Sequence, residues 1–347
     1  MCTEKDYSGT ITGKIGKNAK TASAKLKTES IIKNKPSIQA QTKPIGVNDT
    51  GIKINDYKKA GEITKKVVEY SKQLIKKDMF LSEIANKIEA KILELGGELA
   101  FPVNLSIDDV AAHYTPTLRD EKKASGLIKA DIGVHVNGCI ADTAFTLDLT
   151  PEKKYTKLIQ ASENALKAAI EIVNKNKENT TLSQIGKAIS DEISKLGFSP
   201  IVNLSGHGLD EFDIHSGLTI PNYDNSSTKT LGEGVFAIEP FATLSTGSGT
   251  IYEATGGNIY HITGSGQVRD NFAREVLEWI LENKKTLPFS SRELEKQFGI
   301  KALIAISNLK RAGALEEYPQ LVEKTHQPIS QAETSFVISN GQVEVLV

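Results

Sequence analysis

Apolar residues recur at helical spacing from Asp56 onward. In "DYKKAGEITKKVVEYSKQLIKK", Ala60, Ile63, Val67 and Leu74 share one face of a helix. Ile84, Ile88, Ile92 and Leu95 predict a second helix, starting near Ser82 and stopped by Gly96-Gly97. "AFPVNLS" follows, and then "DIGVHVNGCIADTAF" (131–145). Its Asn137-Gly138 pair, flanked by alternating apolar residues, predicts a β-hairpin, because a type I′ turn needs positive φ at both central positions. A two-residue turn sets Val136 opposite Cys139, Gly133 opposite Asp142 and Asp131 opposite Ala144.

The same order then returns. "YTKLIQASENALKAAIEIV" is an amphipathic helix, and Leu182, Ile185, Ile189, Ile193, Leu196 and Gly197 repeat Leu81, Ile84, Ile88, Ile92, Leu95 and Gly96 at a constant shift of 101. Asn203-Leu204-Ser205 repeats Asn104-Leu105-Ser106 at a shift of 99, and "VISNGQVEVL" carries a second Asn-Gly turn. A duplicated α+β unit is the reading, with two halves bringing their sheets together around a site. Residues 270–325 break the repeat. They read as a helical insertion built from "DNFAREVLEWILENKK", "SSRELEKQFG" and "IKALIAISNLKRAGAL", in a winged-helix-like order. Lys301, Lys310 and Arg311 would suit DNA, but Glu275, Glu278, Glu282, Glu293, Glu295, Glu316 and Glu317 offset them, so no specific nucleic acid is expected.

Composition narrows the class without naming a chemistry. The 347 residues are 39% hydrophobic and 24% charged, with a net charge of −1, as in soluble globular proteins. No apolar run reaches membrane-spanning length, and the N-terminus lacks the apolar stretch of a signal peptide. Only Cys2 and Cys139 are present, which fits a reducing cytoplasm better than a disulfide framework. Residues 1–50 carry nine Lys against Glu4, Asp6, Glu29 and Asp49, a net of +5, and have no apolar periodicity. We expect a disordered basic extension over 1–52 and a folded domain over 53–347.

The hairpin raises the chemical question. Its register puts Asp131 and Asp142 on one sheet face, about 7–8 Å apart as diagonal neighbours, with side-chain-free Gly133 between them. Either both carboxylates are solvated, or a cation offsets their repulsion and burial. Three further candidates follow: His207 in "NLSGHGLDEFDIHSG", Glu239 inside the apolar run "GVFAIEPFA", and Glu333 at the head of "QAETSFVISN". A loop histidine alone is usually a surface residue. A Glu embedded in Ala-Ile-x-Pro-Phe needs a partner. Four carboxylates and one imidazole suit two hard or borderline divalent ions rather than a structural zinc.

These motifs, with "NLSIDDVAAHYTP", make the chain from about Asp56 to Val347 resemble type 2 methionine aminopeptidases in their archaeal form. That resemblance implies the α+β "pita-bread" fold of two pseudo-symmetric halves, and the helical insertion is what type 2 enzymes carry. It implies two divalent ions (Fe, Mn, Co or Zn): Asp131 on the second, Asp142 and Glu333 bridging, His207 and Glu239 completing the first. It also implies that His113 and His215 face the substrate and steady the scissile amide. Phe101 and Ile214 would line the methionine side-chain pocket, and Glu239 would carry a proton to the leaving amine. A hydroxide shared by the ions would then remove Met from nascent chains with a small second residue. The resemblance implies a cytoplasmic monomer, with the ribosome as one place where it would meet those chains. The family commonly has His after the last ligand, where this chain has Thr334, so packing there should differ. Two alternatives remain: a proline-specific peptidase or creatinase relative using the same ligands, and a non-enzymatic binding protein on this fold.

Overall fold

The computed structural model describes residues 51–264 and 266–347; the expected disordered extension lies outside them, apart from the first residues of helix α1. Helices α1 (Gly51–Leu74) and α2 (Leu81–Glu94) pack their apolar stripes on the first half's core. The short strands β1 (Glu98–Leu99), β2 (Asn104–Ile107) and β3 (Val110–Ala112) lead to the long hairpin β4 (Leu127–Val136) and β5 (Cys139–Asp148). β4 is the hub of this sheet: β1, β2 and β5 all pair with it, antiparallel. The turn is the expected one, with φ of 52° at Asn137 and 88° at Gly138. Asp131 lies opposite Ala144 and Gly133 opposite Asp142, as the two-residue turn requires.

The second half repeats the plan. α3 (Thr156–Asn176) and α4 (Leu182–Lys195) pack over β6 (Phe198–Pro200), β7 (Ser205–Leu209), β8 (Thr219–Pro221), β9 (Gly234–Ile238) and β10 (Phe241–Leu244). α4 begins on a reciprocal cap: Thr181 accepts from the Gln184 amide and the Gln184 side chain accepts from the Thr181 amide. α2 and α4, the two copies of the repeated helix, are each 14 residues long.

The insertion rises from β11 (Ile251–Ile262). Its elements are α5 (Asn271–Asn283), β12 (Phe289–Ser290), α6 (Ser291–Phe298), α7 (Ala302–Arg311) and β13 (Leu315–Glu323). The expectation of helix up to 325 fails at its end, because Leu315–Glu323 is a strand. It pairs with β11 from Leu315 to Glu323, across an irregularity near Pro319, and on its other edge Leu321 and Val322 pair with β3. Pro319 removes the amide a helix would need there. The strand therefore ties the insertion to the sheet rather than leaving it a separate helical lobe. A buried Arg292–Glu89 ion pair joins α6 to α2 as well.

The chain closes with β14 (Ile329–Gln331), β15 (Thr334–Ser339) and β16 (Gln342–Val345). β15 sits between β16 and β9, and β9 pairs with β7, giving the order β16-β15-β9-β7-β8. β5 meets β14 and β15 along a seam of bonds between side chains and backbone. Thr143 Oγ1 donates to the Glu333 carbonyl (2.7 Å), Thr146 Oγ1 to that of Gln331 (2.6 Å), and the Asp142 amide to Ser335 Oγ (3.0 Å). That seam brings the hairpin of the first half against the sheet of the second.

Candidate metal centre

The seam and the sheet register bring five distant residues together. Asp131 and Asp142 come from the two hairpin strands. His207 on β7 pairs with Ala237 on β9, whose other neighbour is Ser335 on β15. Glu239 follows the end of β9, and Glu333 immediately precedes β15, so both carboxylates leave the sheet at the same level. His207 Nε2 is 3.8 Å from Asp142 Oδ2 and 3.7 Å from Glu239 Oε1. One ligand atom each of Asp142, His207 and Glu333 falls within 4.8 Å of the others. His207 Nδ1 lies 3.3 Å from the Gly208 carbonyl; with the proton there, Nε2 presents its lone pair to the carboxylates.

Four carboxylates this close, without a cation, are electrostatically costly. Desolvation first, and mutual repulsion second, push Asp142, Glu239 and Glu333 well above the usual carboxylate range. Burial lifts Asp131 to about 7, although a hydrogen bond from Gln331 pulls the other way. Burial lowers His207 to about 3, so it is neutral, the form in which an imidazole can bind a cation. Asp131 Oδ1 and Asp142 Oδ1 are buried without a hydrogen-bond partner. Orphaned carboxylate oxygens are what a cation would satisfy, and two divalent ions would balance four carboxylates. The residues present therefore fit a dinuclear centre.

The centre lies in a cavity of about 490 Å³. Its walls include all nine residues singled out in the sequence: Phe101, His113, Asp131, Asp142, His207, Ile214, His215, Glu239 and Glu333. His113 follows β3 in the left-handed region (φ 63°), with Nδ1 3.2 Å from the Pro319 carbonyl; burial lowers it to about 4, so it is neutral. His215 packs edge-on against His207, ring centroids 4.7 Å apart. The depth of the cavity lowers its pKa, Asp213 opposing the shift.

Three residues of the site are not singled out by the sequence. Tyr318 on β13 lines the cavity and packs edge-on against His113, centroids 5.3 Å apart. Gln331 donates to Glu239 Oε2 at 3.4 Å, and Ser335 holds the Asp142 amide. Tyr318 stands in what reads as the end of a helical segment. Gln331, two residues before Glu333, has a faint signal as a polar residue in a strand-like run. Thr334, the departure from the family pattern, turns away from the cavity and donates to the Val347 carbonyl at 3.0 Å.

The chain belongs to metallopeptidase family M24, whose sequence profile matches residues 55–272. Several proteins to which it is 34–43% identical over most of its length are methionine aminopeptidases. That of Pyrococcus horikoshii is 42% identical over 291 residues, covering 82% of this chain and 96% of that protein. Methionine aminopeptidase 2 of Candida dubliniensis is 34% identical over 320 residues, 85% of this chain and 69% of that protein. Among solved structures, a thermophilic Arx1 superposes with a TM-score of 0.71 at 15% identity, over 86% of this chain and 91% of that one, a likeness of fold alone. The fold is the pita-bread fold of two pseudo-symmetric halves with a winged-helix-like insertion.

Proposed function

We propose that this chain removes the N-terminal methionine from polypeptides whose second residue is small, using two divalent ions held by Asp131, Asp142, His207, Glu239 and Glu333. The observation that carries the reading is the cavity in which four buried or half-buried carboxylates and an imidazole face Phe101, Ile214, His113 and His215. The names of its relatives point the same way.

When bound, the ions supply Lewis acidity that lets water act as a nucleophile near neutral pH. Fe, Mn, Co and Zn all suit the donor set. Phe101 and Ile214 form an apolar wall for the flexible thioether side chain. A neutral His113 whose Nδ1–H is given to Pro319 has its Nε2 free to accept from the scissile amide N–H. His215, open to the cavity, donates to the carbonyl oxygen as charge develops there. Glu239 takes a proton from the attacking water as the C–O bond forms, and then passes it to the leaving amine nitrogen as the C–N bond breaks and the carbonyl is restored. The substrates are nascent chains in the cytoplasm, reached at or near the ribosome by a monomer. No helix among the described residues is long and apolar enough to cross a membrane.

The test is an assay of Met-Ala-Ser, Met-Leu-Ser and an X-Pro peptide with each of the four metals. Release of Met from Met-Ala-Ser, with little from Met-Leu-Ser, is expected. Preferential cleavage of the X-Pro peptide would reassign the site to a proline-specific peptidase, and no cleavage with any metal would remove the enzymatic reading.

A further inference from the structure

The loop that carries Ile214 and His215 into the cavity is held by one residue outside it. Phe212 sits in the left-handed region, φ 56°, a conformation that bulky residues avoid. Contacts from three elements hold it there. Its amide donates to the Gly138 carbonyl at 3.0 Å, in the turn of the hairpin that bears Asp131 and Asp142. Its ring lies against Gly138 so closely that a Cβ on that glycine would come within 2.3 Å of Phe212 Cε2. Gly138 thus serves twice, for its own positive φ and for this approach. The ring of buried His135 meets that of Phe212 edge-on, centroids 5.5 Å apart, and the Gly138 amide donates to His135 Nδ1 at 3.2 Å. From the insertion, the Lys285 ammonium lies 3.4 Å above the ring centroid, and the Thr286 hydroxyl donates to the Phe212 carbonyl. Around this anchor the loop closes on itself: Asp210 and Asp213 exchange backbone bonds of 2.9 and 3.1 Å, and the His215 amide donates to Asp213 Oδ1 at 3.2 Å.

We infer that Phe212 is a positioning residue for substrate recognition, clasped between the Asn137-Gly138 turn and Lys285-Thr286 of the insertion so that Ile214 and His215 stand at fixed places in the cavity wall. This rests on the proposed methionine-removing activity. The physical link is short. Ile214 and His215 are two and three residues from Phe212, so rotation of its backbone out of the left-handed region redirects both. The metal residues sit on β-strands or at their ends and do not move with it. The clasp also gives the insertion a specific role, because Pro288, two residues after Thr286, itself lines the cavity. Displacements of about 1 Å in groups that orient a substrate cost up to ~100-fold in rate.

The metal-loaded full chain tests this through Phe212→Gly, which tolerates the left-handed backbone but removes the ring, beside Phe212→Tyr, which keeps the ring, and the surface double variant Lys285→Met/Thr286→Val. Turnover of Met-Ala-Ser by the unaltered protein decides the activity itself, independently of Phe212. For Phe212→Gly we expect metal content unchanged, KM for Met-Ala-Ser raised about 10- to 100-fold with a smaller fall in kcat, and relaxed preference for Met over Leu at the first position. Phe212→Tyr should restore all three. If Phe212→Gly melts too early to assay, the double variant decides: its side chains are exposed, and it should raise KM several-fold and relax the same preference. Unchanged KM and first-residue preference in Phe212→Gly overturns the inference. So does a loss that Phe212→Tyr fails to restore, a loss that follows metal content, or, where Phe212→Gly cannot be assayed, a double variant with unaltered kinetics.

Discussion

Gly133 stands directly opposite Asp142 in the hairpin, and its missing side chain has a specific consumer. A Cβ built there would lie 2.2 Å from Cε1 of Phe101, 2.6 Å from Cδ1 and 2.8 Å from Cζ. Ordinary contact begins near 3.4 Å, so Gly133→Ala requires the Phe101 ring to retreat by 3.4 − 2.2 = 1.2 Å. The ring has core on one side and the cavity on the other, and close-packed cores yield little. It therefore moves into the cavity. In a closed core such overpacking costs about 1–3 kcal/mol of stability. Here the open side relieves part of that, and replacing a strand glycine by alanine returns about 0.5–1 kcal/mol. Folding stability should hardly change. The cost appears when substrate needs the space: about 1–3 kcal/mol corresponds to a rise of about 5- to 150-fold in KM. Steady-state kinetics on Met-Ala-Ser, with metal content and melting temperature measured on the same sample, check this. An unchanged KM in a fully loaded variant would refute the reasoning, as would a steep loss of melting temperature at normal KM, because either means that the ring yields inward.

Asp142→Ala should bind less than one equivalent of divalent metal and lose turnover by more than about 100-fold, since that carboxylate faces both His207 and Glu333; mass spectrometry of the loaded protein is the check. The metal-free protein should lose melting temperature as pH rises from about 6.5 to 8. A raised carboxylate stabilises fully below its ordinary range, 3.8 for Asp131, and loses that contribution as pH climbs through about 7. His113 and His207 act in the opposite sense, but lower: their neutral forms are favoured until pH falls from 6.5 toward about 4 and about 3. Saturating Mn²⁺ should flatten the alkaline fall; a metal-free protein with a flat profile between those pH values would contradict the burial of the four carboxylates. Arg292→Met leaves Glu89 buried without its guanidinium and should cost about 3–5 kcal/mol in urea unfolding, while the double variant Arg292→Met/Glu89→Met should recover most of it.

Much of this protein is legible from local chemistry alone. The helical stripes of α1 to α4 follow from the burial of one face, a property of residues three and four apart. The hairpin register follows from Asn137-Gly138, because positive φ at two adjacent residues leaves one short turn that fits the twist of the strands. The acidic residues can be singled out because a carboxylate in an apolar strand needs a counter-charge, wherever that strand lies. Tertiary structure alone decides which of these meet. His207 and Glu333 are 126 residues apart, and their approach depends on β9 lying between β7 and β15, an order no local pattern encodes. The strand Leu315–Glu323, which carries Tyr318 into the cavity, is hidden from a local reading because its pairing energy comes from β11, more than fifty residues earlier. Phe212 reads as an ordinary loop aromatic. Its left-handed backbone is sustained by Gly138 and Thr286, each more than seventy residues away, since a strained conformation persists only where packing from several elements over-determines it.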